Sequence, residues 1–96
     1  MTNTNSHNEV TAFRDKWMKI NIEIIDEVLT TRKNKSALQR LQGEVSNMKS
    51  SLYYVESRYN ATNNKYQDEE MRNTLSFLRD DIRAKEQELS YQLNRL

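Results

Sequence analysis

Residues 38–59 read LQRLQGEVSNMKSSLYYVESRY, and this stretch decides the fold. Its apolar residues are separated alternately by three and four positions without a break: Leu38, Leu41, Val45, Met48, Leu52, Val55 and Tyr59. An average spacing of 3.5 residues aligns apolar side chains in one narrow seam along a helix, as in coiled coils. With Ser36 and Gln39 as a capping box, the pattern predicts a helix over about residues 37–60.

A similar seam precedes this stretch. Its residues are spaced by three, four, three and four: Val10, Phe13, Trp17, Ile20 and Ile24. Ser6 and Glu9 have the spacing of a capping box, in which each side chain bonds the other residue's backbone N–H. We therefore expect a helix over about residues 8–32, preceded by a flexible polar N-terminus at residues 1–7.

A third helix is predicted from about residue 65 to residue 96. Lys85 and Gln92 occupy two of its seam positions, so the seam weakens toward the C-terminus. The other seam positions are apolar: Met71, Leu75, Leu78, Ile82, Leu89 and Leu96.

The connections between the predicted helices are only a few residues long, which makes consecutive helices antiparallel neighbours. The sequence thus predicts one all-α domain over residues 8–96, an up-down-up three-helix bundle with coiled-coil-like seams. The alternative is a long helical hairpin that completes its core by dimerising. In the bundle, one end should be aromatic, with Phe13 and Trp17 near Tyr59, Tyr66 and Met71.

The composition argues against most other classes of protein. A single glycine and the absence of proline disfavour hairpin turns and hence sheets. One histidine, His7, and no cysteine provide no set of metal ligands and no nucleophile–base pair. The acidic pair Asp80 and Asp81 is expected to be solvated on a helix surface. We predict a protein that is not an enzyme and has no cofactor, metal or small-molecule substrate.

Charge and hydropathy bear on location and on partners. The net charge is +1, which makes nucleic acid an unlikely partner, although Arg14, Lys16, Lys19 and the basic residues of 32–35 could contact it. No apolar stretch approaches the roughly 18 residues of a membrane span, and the N-terminus lacks the pattern of a signal peptide. A cytoplasmic location is therefore expected.

Apolar residues outside the seams are the clue to function. The first helix carries a second stripe: Met18, Ile22, Ile25 and Leu29. Either this stripe contacts another chain, or the other two helices wrap around the first and bury it. Phe77 and Tyr91 lie opposite the seam of the third helix, and Tyr53 and Tyr54 lie beside that of the second. These aromatics are either isolated surface residues or anchors for a partner.

Three amphipathic helices with a tryptophan midway along the first resemble the regulatory domains of SNARE proteins and, more loosely, spectrin repeats. They also resemble small helical secretion chaperones and small phage proteins that bind host machinery. The resemblance is one of architecture and implies no particular function. The function expected from the residues is a protein–protein interaction module, acting as an adaptor, regulator or inhibitor. The alternatives are an assembly component that forms an oligomeric coiled coil and, less favoured, a nucleic-acid-binding accessory protein.

Overall fold

Three long helices make up the fold, in a computed structural model that describes residues 2–62 and 69–96, with side chains for residues 8–61 and 69–96. The helices are α1 (Thr2–Leu29), α2 (Lys35–Thr62) and α3 (Glu69–Asn94). They pack against one another pairwise in a bundle measuring 49 × 18 × 17 Å. The prediction of an all-α three-helix bundle is confirmed, and the core forms within one chain without the second copy that the hairpin alternative required.

The predicted seams form the core. All seam residues of α1 and α2 are buried, because a 3-4 spacing keeps them on the faces where the helices meet. On α3 the buried residues are Leu75, Leu78, Ile82 and Leu89, and Met71 and Leu93 pack half-buried against them. Leu96 was expected to extend this seam, but α3 ends at Asn94 and Leu96 is exposed.

The start of α2 differs from the prediction. The helix begins at Lys35, and Asn34 is its cap: the Asn34 Oδ1 accepts a hydrogen bond from the Ala37 N–H at 3.1 Å. The Asn34 carbonyl accepts from the Leu38 N–H at 3.0 Å, which closes the first turn. Ser36 is therefore inside the helix, and the capping box predicted for it is wrong.

The end of α1 also comes earlier than predicted, at Leu29 and not near residue 32. The Lys33 ammonium group donates hydrogen bonds to the carbonyls of Val28 and Thr30, at 2.9 and 2.8 Å. Carbonyls at a helix C-terminus lack partners within the helix. The lysine supplies partners and a favourable positive charge, so the chain can turn directly into α2.

The remaining helix boundaries shift as well. The first helix begins at Thr2, so Ser6 lies inside it and the predicted capping box with Glu9 is wrong. Extending a nucleated helix adds one hydrogen bond for each residue fixed, so a polar sequence does not prevent the extension. The second helix continues to Thr62, and the predicted start of the third at about residue 65 lies outside the described residues.

The expected aromatic end is only partly formed. Phe13 and Tyr59 are buried toward that end, where Glu9 pairs with Arg58. Trp17, however, contacts Asp81 at the middle of α3, about two helical turns farther along the bundle than Glu9. Trp17 therefore lies nearer the middle of the bundle than Phe13, and the orientation of its ring toward the aromatic end stays a prediction. Tyr66 lies outside the described residues.

Candidate protein-binding groove

Ion pairs bridge the two borders that α2 forms with its neighbours. Two join α1 to α2 and two join α2 to α3: Glu23–Arg40 at 2.8 Å, Glu9–Arg58 at 2.8 Å, Lys49–Glu86 at 3.1 Å and Glu56–Arg79 at 2.9 Å. A hydrogen bond to Glu23 raises the pKa of Arg40, and a hydrogen bond to Glu56 raises the pKa of Arg79. Both arginines are charged. Because these ion pairs are exposed, each contributes only modestly to the stability of the two borders.

The border between α1 and α3 is built differently. No ion pair joins the two helices among residues 8–29 and 69–94, where side chains are described. One polar contact crosses instead: the Trp17 Nε1–H donates to Asp81 Oδ2 at 2.8 Å. Asp81 Oδ1 accepts from the Lys85 ammonium at 2.9 Å, and both partners of this pair are mostly buried. The expectation that Asp81 is simply solvated is wrong, because a buried indole N–H needs an acceptor.

The second apolar stripe of α1 lies along this border. Ile25 and Leu29 line a depression together with Lys85 and Glu88 of α3. Met18 and Ile22 continue the same line, because each lies seven residues, or about two turns, before Ile25 or Leu29. The stripe thus follows the α1 edge of a groove whose opposite edge is α3.

Phe77 lies on the α3 edge of the same groove, in a depression that it shares with Arg14 of α1. We define the α1–α3 groove by five side chains, all partly or largely exposed: Met18 at 37%, Ile22 at 61%, Ile25 at 41%, Leu29 at 76% and Phe77 at 50%. The alternative in which α2 and α3 wrap around α1 and bury its stripe is therefore wrong.

Tyr91 does not belong to the groove, although it lies in register with Phe77 in the sequence. It lines a depression with Gln42 and Ser46 of α2, on the other side of α3, and its hydroxyl accepts a hydrogen bond from Arg95. On a straight α-helix, side chains seven residues apart differ in direction by about 20°. Tyr91 lies fourteen residues after Phe77, so the two side chains differ in direction by about 40°. This difference moves Tyr91 away from α1.

Tyr53 and Tyr54 are exposed on α2, away from the groove. Their rings meet edge to face, with centroids 5.8 Å apart. Tyr53 borders a depression between α2 and α3 together with Arg79 and Arg83. The structure therefore places the sequence-predicted candidates in three locations, of which the groove collects the largest apolar set.

Carboxylates follow the rim of the groove, a feature that the sequence analysis missed. Asp26 follows Ile22 by one turn on α1, and Asp80 follows Phe77 by three residues on α3. Glu88 lines the depression next to Leu29. None of these three acids forms an ion pair with a described residue, in contrast to the acids that face α2. We call Asp26, Asp80 and Glu88 the acidic rim.

The basic residues considered for nucleic acid fall into separate places on the bundle. Arg14 pairs with Asp15 at 3.3 Å near the groove, whereas Lys16 and Lys19 face the border with α2. Lys33 is engaged at the end of α1. The described residues thus present no continuous basic strip along one helix.

Two further findings concern other kinds of site. In the part of the chain that the structure describes, no group of three or more His, Cys, Asp or Glu side chains could hold a metal ion. Over the same residues, no helix has both the length and the apolar character needed to cross a membrane.

No protein family, curated protein or solved structure matches the chain significantly. The architectural resemblance to SNARE regulatory domains, spectrin repeats and small chaperones is thus not accompanied by a match to any of them. What the chain does must be argued from the groove.

Proposed function

We propose that this protein is a non-catalytic interaction module that binds another protein through the α1–α3 groove. One observation carries the proposal: four apolar side chains of α1 are partly or largely exposed in one row, although the core of the bundle forms without them. Isolated exposed apolar residues are ordinary, but a contiguous row is typical of a binding surface.

The energy available from this surface is sufficient for recognition. Fully burying one exposed aliphatic or aromatic side chain contributes about 1.5–3 kcal/mol. Scaled by the exposed fractions of the five groove residues, burial contributes roughly 4–8 kcal/mol before association costs. Such a surface alone supports a moderate and reversible complex, and additional contacts at the rim set its affinity and specificity.

Helix packing supports a helical ligand. α1 and α3 run in the same direction, since the ion pairs show that each is antiparallel to α2. A helix lying in the α1–α3 groove would convert the three-helix bundle into a four-helix bundle, in which apolar faces meet around a shared core. The proposal includes adaptor, regulator and inhibitor roles, in the cytoplasm.

The experiment is an affinity capture from the source cells with three matched baits, analysed by quantitative mass spectrometry. The baits are the unaltered chain, the groove variant Ile22→Glu with Leu29→Glu, and the control Tyr53→Glu with Tyr54→Glu. Both variants place two carboxylates at exposed positions, on different faces of the bundle.

The proposal expects proteins that the unaltered chain and the tyrosine variant enrich equally and the groove variant does not. Capture of the same proteins by all three baits, or of none by any bait, would contradict it. Binding lost only with the tyrosine variant would instead assign function to the outer face of α2.

Self-assembly was the alternative expected from the sequence, with the seams of the second and third helices pairing between chains. Because the described seam residues of α2 and most of those of α3 are buried within the chain, self-assembly would instead use the exposed side chains of the groove. Light scattering over a wide concentration range distinguishes the two functions. A concentration-dependent rise in mass that the groove variant abolishes would favour the assembly component.

A further inference from the structure

The charges around the α1–α3 groove are unequal in sign. Among the basic residues beside it, Arg14 pairs with Asp15 and Lys85 pairs with Asp81. The Lys33 ammonium group lies at one end, where it is bound to the carbonyls of Val28 and Thr30.

The acidic rim forms no ion pair with a described residue, and Glu88 accepts one hydrogen bond, from the Gln92 amide at 3.3 Å. Glu69 adds a further carboxylate beside Phe77. The groove is therefore apolar at its centre and negative along its edges.

We propose that the occupant of the α1–α3 groove is a basic amphipathic helix of another protein, with lysine or arginine flanking its apolar face. The inference rests on the proposed function and specifies the class of partner. Opposite charges across an interface guide encounter and fix register, and like charges discourage wrong partners.

The dimensions of the groove fit a short helix. Met18 and Leu29 are separated by eleven residues, or about 16 Å along α1 at 1.5 Å per residue. A partner helix of roughly four turns covers this length and presents apolar side chains at the same 3-4 spacing. Lysine or arginine residues that flank the apolar face of the partner helix then lie opposite Asp26 of α1 on one side. On the other side they lie opposite Asp80 and Glu88 of α3.

A second copy of the chain fits this surface less well. A symmetric dimer places the same patch of each protomer against the other. The acidic rims would then face each other, and the basic side chains that could neutralise them are engaged within their own protomer. Charge complementarity therefore favours a different, basic chain.

Three synthetic helical peptides test the inference. They share one apolar face of leucine and alanine over roughly 18 residues, and differ only at the flanking positions, which are lysine, glutamine or glutamate. Binding to the full chain is measured by isothermal titration calorimetry at low salt and again at roughly 1 M salt, where the Debye length falls to about 3 Å.

We expect the lysine peptide to bind the unaltered chain roughly tenfold more tightly than the glutamate peptide, from about three exposed charge pairs. High salt should remove most of this difference. The rim variant Asp26→Asn, Asp80→Asn, Glu88→Gln should bind the lysine and glutamate peptides with similar affinity. It should still bind the glutamine peptide.

A matched control separates the rim from net charge. The variant Gln39→Lys, Ser50→Lys, Ser51→Lys raises the net charge equally, at exposed positions of α2. It should retain the preference for the lysine peptide. If rim and control variants reduce lysine-peptide binding equally, the acidic rim is not the recognition element and the inference is overturned.

The proposed function and this inference fail in different ways. Equal binding of all three peptides, abolished by Ile22→Glu with Leu29→Glu, would overturn the basic partner and support the groove. Binding that this groove variant leaves unchanged, or no binding of any peptide, would overturn both. If the unaltered chain is a dimer at the assay concentration and the groove variant is a monomer, the occupant of the groove is a second copy of the chain. That result would overturn the proposal of a basic partner.

Discussion

Replacing Asp81 with alanine is expected to destabilise the bundle substantially. Trp17 is fully buried, and its indole N–H donates to the Asp81 carboxylate at 2.8 Å. A buried donor left without an acceptor costs about 1–3 kcal/mol. The mostly buried pair with Lys85 is lost as well and adds up to about 1 kcal/mol. We therefore expect the free energy of unfolding to fall by about 2–3 kcal/mol, or roughly 10–20 °C in Tm.

Urea unfolding measures this loss with two independent probes. Circular dichroism at 222 nm follows the helices, and fluorescence follows Trp17, the single tryptophan of the chain. The Lys85→Met variant is the first control, because it removes the ion pair and keeps the indole contact; its loss should be smaller than that of Asp81→Ala, which removes both contacts. Asp81→Asn retains an acceptor oxygen and should recover part of the alanine loss.

A double-mutant cycle between Trp17→Phe and Asp81→Ala isolates the hydrogen bond. Groups in direct contact show coupling of about 0.5–3 kcal/mol, and we expect at least about 1 kcal/mol here. An alanine variant within about 0.5 kcal/mol of the unaltered protein, together with coupling near zero, would refute the claim that this contact stabilises the α1–α3 border.

Five other substitutions test the local account of stability by thermal and urea unfolding. Asn34→Ala should cost about 1 kcal/mol through loss of the α2 cap, whereas Ser36→Ala should cost almost nothing; the reverse order would restore Ser36 as the cap. Gly43→Ala should stabilise α2 by about 0.5–1 kcal/mol, because a methyl group there meets open space, and a lower Tm would contradict this. Ile24→Ala should cost about 2–5 kcal/mol and Ile22→Ala under about 1 kcal/mol, since only Ile24 is buried; similar losses would contradict the assigned faces.

The core was predictable because it depends on spacing alone. Every seam residue named for α1 and α2 is buried, since a helix brings positions three and four apart to one face whatever its neighbours are. The same argument left Ile22 and Leu29 outside the seam, where the structure exposes them. Local periodicity was sufficient for the fold and for separating the second stripe of α1 from the seam, but it did not decide whether that stripe was buried or exposed.

Features that depend on two distant segments were not predictable. Asp81 becomes buried because a tryptophan 64 residues earlier faces it. The spacing of Asp81 and Lys85 by four residues was the available signal, since opposite charges so spaced meet on a helix. That spacing does not reveal which helix lies opposite, and so the polar contact was missed.

The helix ends were mispredicted for a related reason. Asn34 and Ser36 are both good capping residues, and the sequence cannot rank them without the path of the chain between the helices. Lys33 decides that path through its bonds to the end of α1. The acidic rim was missed because Asp26 and Glu88 become neighbours of one groove only when α1 and α3 are placed side by side.

Amide chemical-shift mapping by NMR, with the lysine-flanked peptide added to the isotopically labelled chain, tests the central claim most directly. The account predicts that the largest shifts fall on the groove edge of α1, between Met18 and Leu29, and on α3 between Phe77 and Glu88, while Tyr53 and Tyr54 change little. Shifts centred on the outer face of α2, or no shifts at saturating peptide, would contradict the assignment of the α1–α3 groove as the binding site.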